Sequence, residues 1–124
     1  MKQENKLKGS KGENIARVYL QNKGYKIIDQ NFENKFGELD LIMSKENTLI
    51  FIEVKLKTGD DFGSPEEMIN SHKLRQIQNT GVSYLQKFPE IDNLYAQKQI
   101  DAVCIVLGPK GKVIRINHYE NITF

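Results

Sequence analysis

Two neighbouring segments place ionisable side chains where a strand would ordinarily carry apolar ones. Phe36-Gly37-Glu38-Leu39-Asp40-Leu41-Ile42-Met43-Ser44 and Thr48-Leu49-Ile50-Phe51-Ile52-Glu53-Val54-Lys55-Leu56-Lys57 read as strands joined by the polar Lys45-Glu46-Asn47. Successive side chains of a strand point to opposite faces. The second strand therefore sets Ile50, Ile52, Val54 and Leu56 on one face and Phe51, Glu53, Lys55 and Lys57 on the other. In the first, Leu39, Leu41 and Met43 share a face, with Glu38, Asp40 and Ile42 opposite. If Glu46-Asn47 is a two-residue hairpin turn, with Asn47 tolerating positive φ, paired residue numbers sum to 93 and Asp40 lies across from Glu53. Their Cβ atoms are then about 5 Å apart, and Glu38 faces Lys55 on the same side.

Opposed carboxylates in a partly buried sheet repel unless something cationic lies between them. All-oxygen ligands with room for water suit Mg²⁺ or Mn²⁺ rather than zinc. Lys55, on the face of Glu53, is then placed to touch an attacking water or a developing charge. The plainer reading of the same residues is a solvated strand face, with Glu38 and Lys55, or Glu53 and Lys57, as ordinary ion pairs. His72 and His118 are isolated and not at paired metal spacing, and no Ser or Cys stands in a nucleophile motif.

The elements that must position these residues are legible around them. The first ten residues are polar and lysine-rich and read as a flexible basic tail, leaving a single α/β domain over residues 11–124. Ser10-Lys11-Gly12-Glu13 fits a capping box, which makes Glu13 a capping glutamate if judged alone. Ile15, Ala16, Tyr19 and Leu20 then recur at helical spacing until Gly24, so a helix is predicted over 11–23. Residues 25–32 read as a strand preceding the two above. Residues 57–64 form a loop with two glycines, and Ser64-Pro65-Glu66-Glu67 predicts the cap of a second helix. Its buried side is Leu74, Ile77, Tyr84, Leu85 and Phe88, with Gly81 a weak point. The apolar run 102–107 suits a strand covered on both faces, and Gly108-Pro109-Lys110-Gly111 turns it into a last strand at 112–118. The predicted order is αβββαββ, a mixed β-sheet flanked by helices.

The chain's 124 residues, 39% hydrophobic, suffice for one core without disulfides or a structural metal. The one cysteine, Cys104, falls inside the apolar run and reads as core. No stretch approaches the ~20 apolar residues of a membrane span and the start lacks a signal peptide, so a cytoplasmic protein is expected. With 18 basic and 16 acidic residues, a net charge of +2 permits a nucleic-acid partner without demanding one. Contacts to phosphate would come from local lysines: Lys11, Lys57 and Lys73, with Lys2, Lys6 and Lys8 in the tail.

Asp40, twelve intervening residues, then Glu53-Val54-Lys55 resembles the PD-(D/E)XK nuclease signature, here with Glu-Leu-Asp in place of Pro-Asp. The fuller string Gly12-Glu13, Ala16, Leu20, Gly24-Tyr25, Asn31, Gly37-Glu38-Leu39-Asp40-Leu41-Ile42, Phe51-Ile52-Glu53-Val54-Lys55, Phe62-Gly63 and Pro65 is similar to the YraN family of small uncharacterised bacterial proteins. The similarity covers about residues 12–124, including Asp101 and His118. It implies a restriction-endonuclease-like fold similar to archaeal Holliday junction resolvases, with a site of Glu13, Asp40, Glu53 and Lys55. Two positions depart from the family pattern: Lys57 stands where arginine is usual, and Glu33 where a basic residue is common.

The function implied is a metal-dependent endonuclease that hydrolyses phosphodiester bonds in DNA, with branched or junction DNA among its substrates. Asp40 and Glu53 would hold Mg²⁺ or Mn²⁺, Glu13 would complete the cluster directly or through water, and Lys55 would orient the attacking water. Symmetric junction cleavage needs two sites, so a homodimer is expected for that substrate. The alternatives are a nucleic-acid-binding module that keeps the fold without turnover and a structural partner in a larger assembly.

Overall fold

The structure is a computed structural model that describes residues 2–59 and 62–122, residues 2–8 as backbone only. Asp60 and Asp61 of the predicted loop, and the side chains of Lys2, Lys6 and Lys8, lie outside the described residues. In chain order the elements are α1 (Lys2–Gln21), β1 (Lys26–Asn34), β2 (Gly37–Lys45), β3 (Thr48–Thr58), a 3-10 turn (Pro65–Met68), α2 (Ser71–Lys87), α3 (Pro89–Leu94), β4 (Gln97–Leu107) and β5 (Val113–Tyr119). The five strands form one mixed sheet in the order β1-β2-β3-β4-β5, parallel only between β3 and β4. This is the α/β architecture the pattern predicts, with the short α3 added.

Each face of the sheet carries its own core. Ala16 and Leu20 of α1 pack on Leu41, Met43, Ile50, Ile52, Val103, Ile105 and Leu107. On the other face Leu74, Ile77 and Tyr84 of α2 cover Leu39, Ile42, Leu49, Phe51 and Ile100. β3, paired on both edges and covered on both faces, is the strand around which the rest is laid. Gly12 has a packing reason: a Cβ there would come within 3.2 Å of Leu56 Cβ, so its absence lets α1 lie close on β3. Gly81 serves α2 in the same way, since a Cβ would press 2.9 Å from the Phe51 ring. The predicted weak point is a contact point.

Two helix starts differ from the reading of the sequence. Residues 2–10 are helical, so Ser10 and Glu13 lie inside α1 and form no capping box. Lys, Gln, Glu and Leu propagate a helix readily once the packed part nucleates it, and Gly9 costs only about 1 kcal/mol. Ser64 makes no side-chain cap; Ser64-Pro65 opens the 3-10 turn, and α2 starts at Ser71 with Asn70 as N-cap, its side chain accepting the Lys73 N–H at 2.9 Å. β4 extends five residues N-terminal of its apolar run because it follows β3 in register from Thr48↔Gln97. Its polar start hid that pairing. Among the described residues no helix is long and apolar enough to cross a membrane.

Candidate active site

The predicted register between β2 and β3 is the observed one. Leu41↔Ile52, Ile42↔Phe51, Met43↔Ile50, Ser44↔Leu49 and Lys45↔Thr48 all sum to 93. The ladder then stops. Beyond Leu41 and Ile52, β2 pairs only with β1, to Asn34↔Gly37, while β3 pairs only with β4, to Thr58↔Leu107. Asp40 and Glu53 are the first residues past the last rung, at the base of a fork between two diverging strands. Glu38 therefore pairs with Glu33 of β1, and the predicted juxtaposition with Lys55 does not occur.

The strand alternation also breaks here. Leu41 and Met43 face the α1 core, but Leu39 joins Ile42 in the α2 core rather than sharing the face of Leu41. Next door, Asn31 of β1, between the rungs Gln30↔Leu41 and Phe32↔Leu39, takes φ +56° while the β1–β2 register runs on unbroken across it. The side chain of Asp40 reaches across the fork, and its Oδ2 accepts the Val54 backbone N–H at 2.8 Å. That N–H has lost its β2 partner, so the carboxylate replaces a missing ladder bond.

Both carboxylates are deeply placed, Asp40 6% and Glu53 2% exposed. Glu53 Oε2 has two cations on it, Lys55 Nζ at 3.1 Å and Lys73 Nζ of α2 at 3.4 Å. Asp40 is held well above the usual carboxylate range, first by burial and then by the charge of Glu53, against the pull of the Val54 N–H. Glu13, on the α1 turn that Gly12 brings against β3, has its carboxyl raised to about 7 by burial and by the charge of Glu38, with Asn31 partly offsetting them and Glu53 adding to the rise. Three carboxyl groups from three elements thus feel one another's charge at the fork.

The lysines expected to contact phosphate divide. Lys73 is at the carboxylate pair, also donating to Gln76 Oε1, and with Gln76, Glu38, Gly37 and Glu33 it lines a groove of about 610 Å³. Lys57 donates to the Phe62 carbonyl at 3.3 Å. Lys11 is exposed, its Nζ beside the β4–β5 turn at Gly111, at the end of the sheet where β3 also ends. The proximity of Lys73 to Glu53 had one sequence signal, the Asn70 cap, which fixes the phase of the first turn of α2.

A second polar cluster lies where β4 and β5 meet the end of α1. Ligand atoms of Asp101, His118 and Glu120 lie within 4.8 Å of one another, close enough to hold a metal ion, and among the described residues this is the group of three that reaches that spacing. Asp101 is fully buried and accepts from Tyr25 Oη at 2.9 Å, Gln99 Nε2 at 2.9 Å and the Asn121 N–H at 2.9 Å, with His118 Nε2 at 2.8 Å. Burial opposes its charge, but these bonds from His118, Asn121, Tyr25 and Gln99 prevail and hold its carboxyl below the usual range. Elsewhere Cys104 is buried, its thiol pushed up to about 12 by burial, as befits a core residue.

Sequence comparison adds relatives of similar length. The profile described as "Uncharacterised protein family UPF0102" matches residues 12–105, the stretch holding Glu13, Asp40, Glu53, Lys55 and Lys73. A UPF0102 protein of Syntrophomonas wolfei is 37% identical over 117 residues, covering 94% of this chain and 97% of the relative. One of Geobacter metallireducens is 35% identical over 121 residues, 98% of this chain and 95% of the relative. One of Vibrio parahaemolyticus is 40% identical over 79 residues, 64% and 65% of the two chains.

Proposed function

We propose that this chain, which belongs to the uncharacterised protein family UPF0102, is a metal-dependent endonuclease that hydrolyses phosphodiester bonds in DNA in the cytoplasm. One observation carries the reading: two buried carboxylates stand side by side at a break in the sheet, with two lysine ammonium groups on one of them. A structural ion pair needs one acid and one base. Here both ammonium groups lie on Glu53, while Asp40, its carboxyl held above the usual range by burial and by the charge of Glu53, is bonded by the Val54 N–H.

The donor set fits a hard divalent cation. Asp40 and Glu53 offer carboxylate oxygens at a fork with no intervening strand, and Glu13 is near enough for its charge to reach Asp40. Asp40 and Glu53 would hold Mg²⁺ or Mn²⁺, with Glu13 reaching it through water, and the ion would supply Lewis-acid polarisation and a more acidic water. The Val54 N–H fixes the orientation of Asp40. Lys55, 3.1 Å from Glu53, is placed to orient an attacking water or to meet the charge that develops on the phosphate. Lys73 stays at the groove wall to hold a phosphate.

The test is a screen of single-stranded, duplex, flapped and four-way-junction DNA with millimolar Mg²⁺ or Mn²⁺ and with EDTA. Metal-dependent cleavage, abolished in Lys55→Ala while binding persists, is the expected outcome. A folded protein that cuts none of these substrates overturns the reading, and retained binding in that case identifies a module without turnover.

A further inference from the structure

Beyond Leu41 and Ile52 the fork has two arms, and each ends in an exposed aromatic residue beside a lysine. Continued in register, the β2–β3 ladder would set Phe36 opposite Lys57. On one arm, the β1–β2 connection carries Lys35-Phe36. The Phe36 ring is 47% exposed, and Lys35 Nζ lies 5.2 Å from its centroid. On the other, Lys57 at the end of β3 donates to the carbonyl of Phe62, whose ring is 95% exposed. Between the arms lie Asp40, Glu53, Lys55 and Lys73.

The backbone of Phe62 is tethered at its carbonyl, which accepts from Lys57. After it, Gly63 takes φ +99°, Pro65 is buried, and Glu66 is gripped by both Arg115 guanidinium nitrogens at 2.8 and 3.0 Å and by Tyr119 Oη at 2.7 Å. A phenylalanine left 95% exposed beside so constrained a turn forgoes the burial its type ordinarily obtains.

We propose that Phe36 and Phe62 stack on unpaired bases either side of the carboxylate pair, so that the site takes DNA with unstacked nucleotides in preference to continuous duplex. In duplex the base faces are covered by one another, whereas a single-stranded stretch offers each face to an aromatic ring. The lysine beside each ring meets the adjoining phosphate.

This substrate class rests on the nuclease reading, and binding separates the two. Fluorescence anisotropy is measured in EDTA, which stops metal-dependent turnover, on a labelled single-stranded oligonucleotide and on its blunt duplex. The single strand should bind about tenfold tighter. Phe62→Ala and Phe36→Ala should each weaken it about tenfold, Phe62→Trp should restore it, and duplex affinity should not move. A 2-aminopurine base in the strand should be quenched by wild type and less so by Phe62→Ala. Equal affinity for duplex, or single-strand binding and quenching indifferent to Phe62→Ala, overturns the proposal. So does failure to bind any DNA, which would turn the exposed rings toward a protein partner. Because Phe62 is almost wholly in solvent, its truncation decides the matter even if Phe36→Ala does not fold. Stacking-dependent binding without cleavage of any substrate would instead sink the nuclease reading alone.

Discussion

Asp40 does for β3 what a neighbouring strand does elsewhere in the sheet: its carboxylate accepts the Val54 backbone N–H at 2.8 Å across the point where β2 and β3 part. That bond distinguishes two substitutions. Asp40→Asn keeps an acceptor for Val54 and removes repulsion with Glu53, so apo stability should be unchanged or rise by up to about 1 kcal/mol. Asp40→Ala orphans the N–H and should cost about 1–2 kcal/mol. Both should slow hydrolysis roughly a thousandfold, about 4 kcal/mol of transition-state stabilisation. Thermal melts with cleavage rates check this, and an Asn variant clearly less stable than wild type would show that the charge itself is structural.

The raised carboxyl groups set a pH dependence of unusual sign. A folded-state pKa above the unfolded value means that the native state binds the extra proton, so stability is greatest in acid and declines as pH rises. For Glu13, raised to about 7, the decline runs from about 4.5 to 7; Asp40, also raised, adds to it. Glu66, lowered to about 2 by the Arg115 hydrogen bonds against some desolvation, acts the opposite way, as does Asp101. Their contributions are lost as pH falls below about 4. The metal-free protein should therefore be most stable near pH 5. Mg²⁺ should raise the melting temperature more at pH 8 than at pH 5, because at pH 5 protons must leave first. Melting curves across pH, with Mg²⁺ and with EDTA, measure both.

Lys55 and Lys73 share one oxygen of Glu53, which makes their effects on stability non-additive. Either single alanine substitution leaves Glu53 one cation and should cost about 1 kcal/mol. The double variant leaves a carboxylate of 2% exposure without either lysine, beside the Asp40 carboxyl, and should cost about 3 kcal/mol or more. The two differ in turnover: Lys55→Ala should abolish cleavage with little change in binding, and Lys73→Ala should weaken binding with cleavage retained at saturating substrate. Denaturant melts of the three variants and separate kcat and KM values read out the two roles.

The β2–β3 register was legible because the alternating pattern and the Glu46-Asn47 turn both specify it, and Glu46 indeed takes the positive φ, +55°, that such a turn requires. The turn residue expected to do so was Asn47. The fork was not legible, because periodicity records which face a residue occupies and not where a neighbour departs. The reversal of Leu39 sits just past the point where β3 leaves β2, a departure that no pattern within β2 announces. Glu13 was visible only as a local cap or through family resemblance. Its approach to the fork depends on Gly12, whose missing Cβ matters only once Leu56 lies beneath it.

The Asp101, His118 and Glu120 cluster meets the spacing of a metal site, but its hydrogen bonds point to a saturated polar network. Asp101 Oδ1 receives Gln99 and the Asn121 N–H, and Oδ2 receives Tyr25 and His118, so each oxygen has both lone pairs engaged. His118 is engaged at both nitrogens, Nε2 with Asp101 and Nδ1 with Lys23 Nζ at 2.7 Å. An ion entering here would have to displace at least one of these partners and settle beside the Lys23 ammonium group. Zn²⁺ should therefore leave the wild-type melting temperature unchanged. Tyr25→Phe removes one donor of four and should cost about 1 kcal/mol, whereas Asp101→Ala strands all four and should cost about 3–5 kcal/mol. Melts with Zn²⁺ and with a chelator decide the matter: a Zn²⁺-dependent rise that disappears in His118→Ala would make this cluster a metal centre instead of the bolt that ties β4, β5 and the end of α1 together.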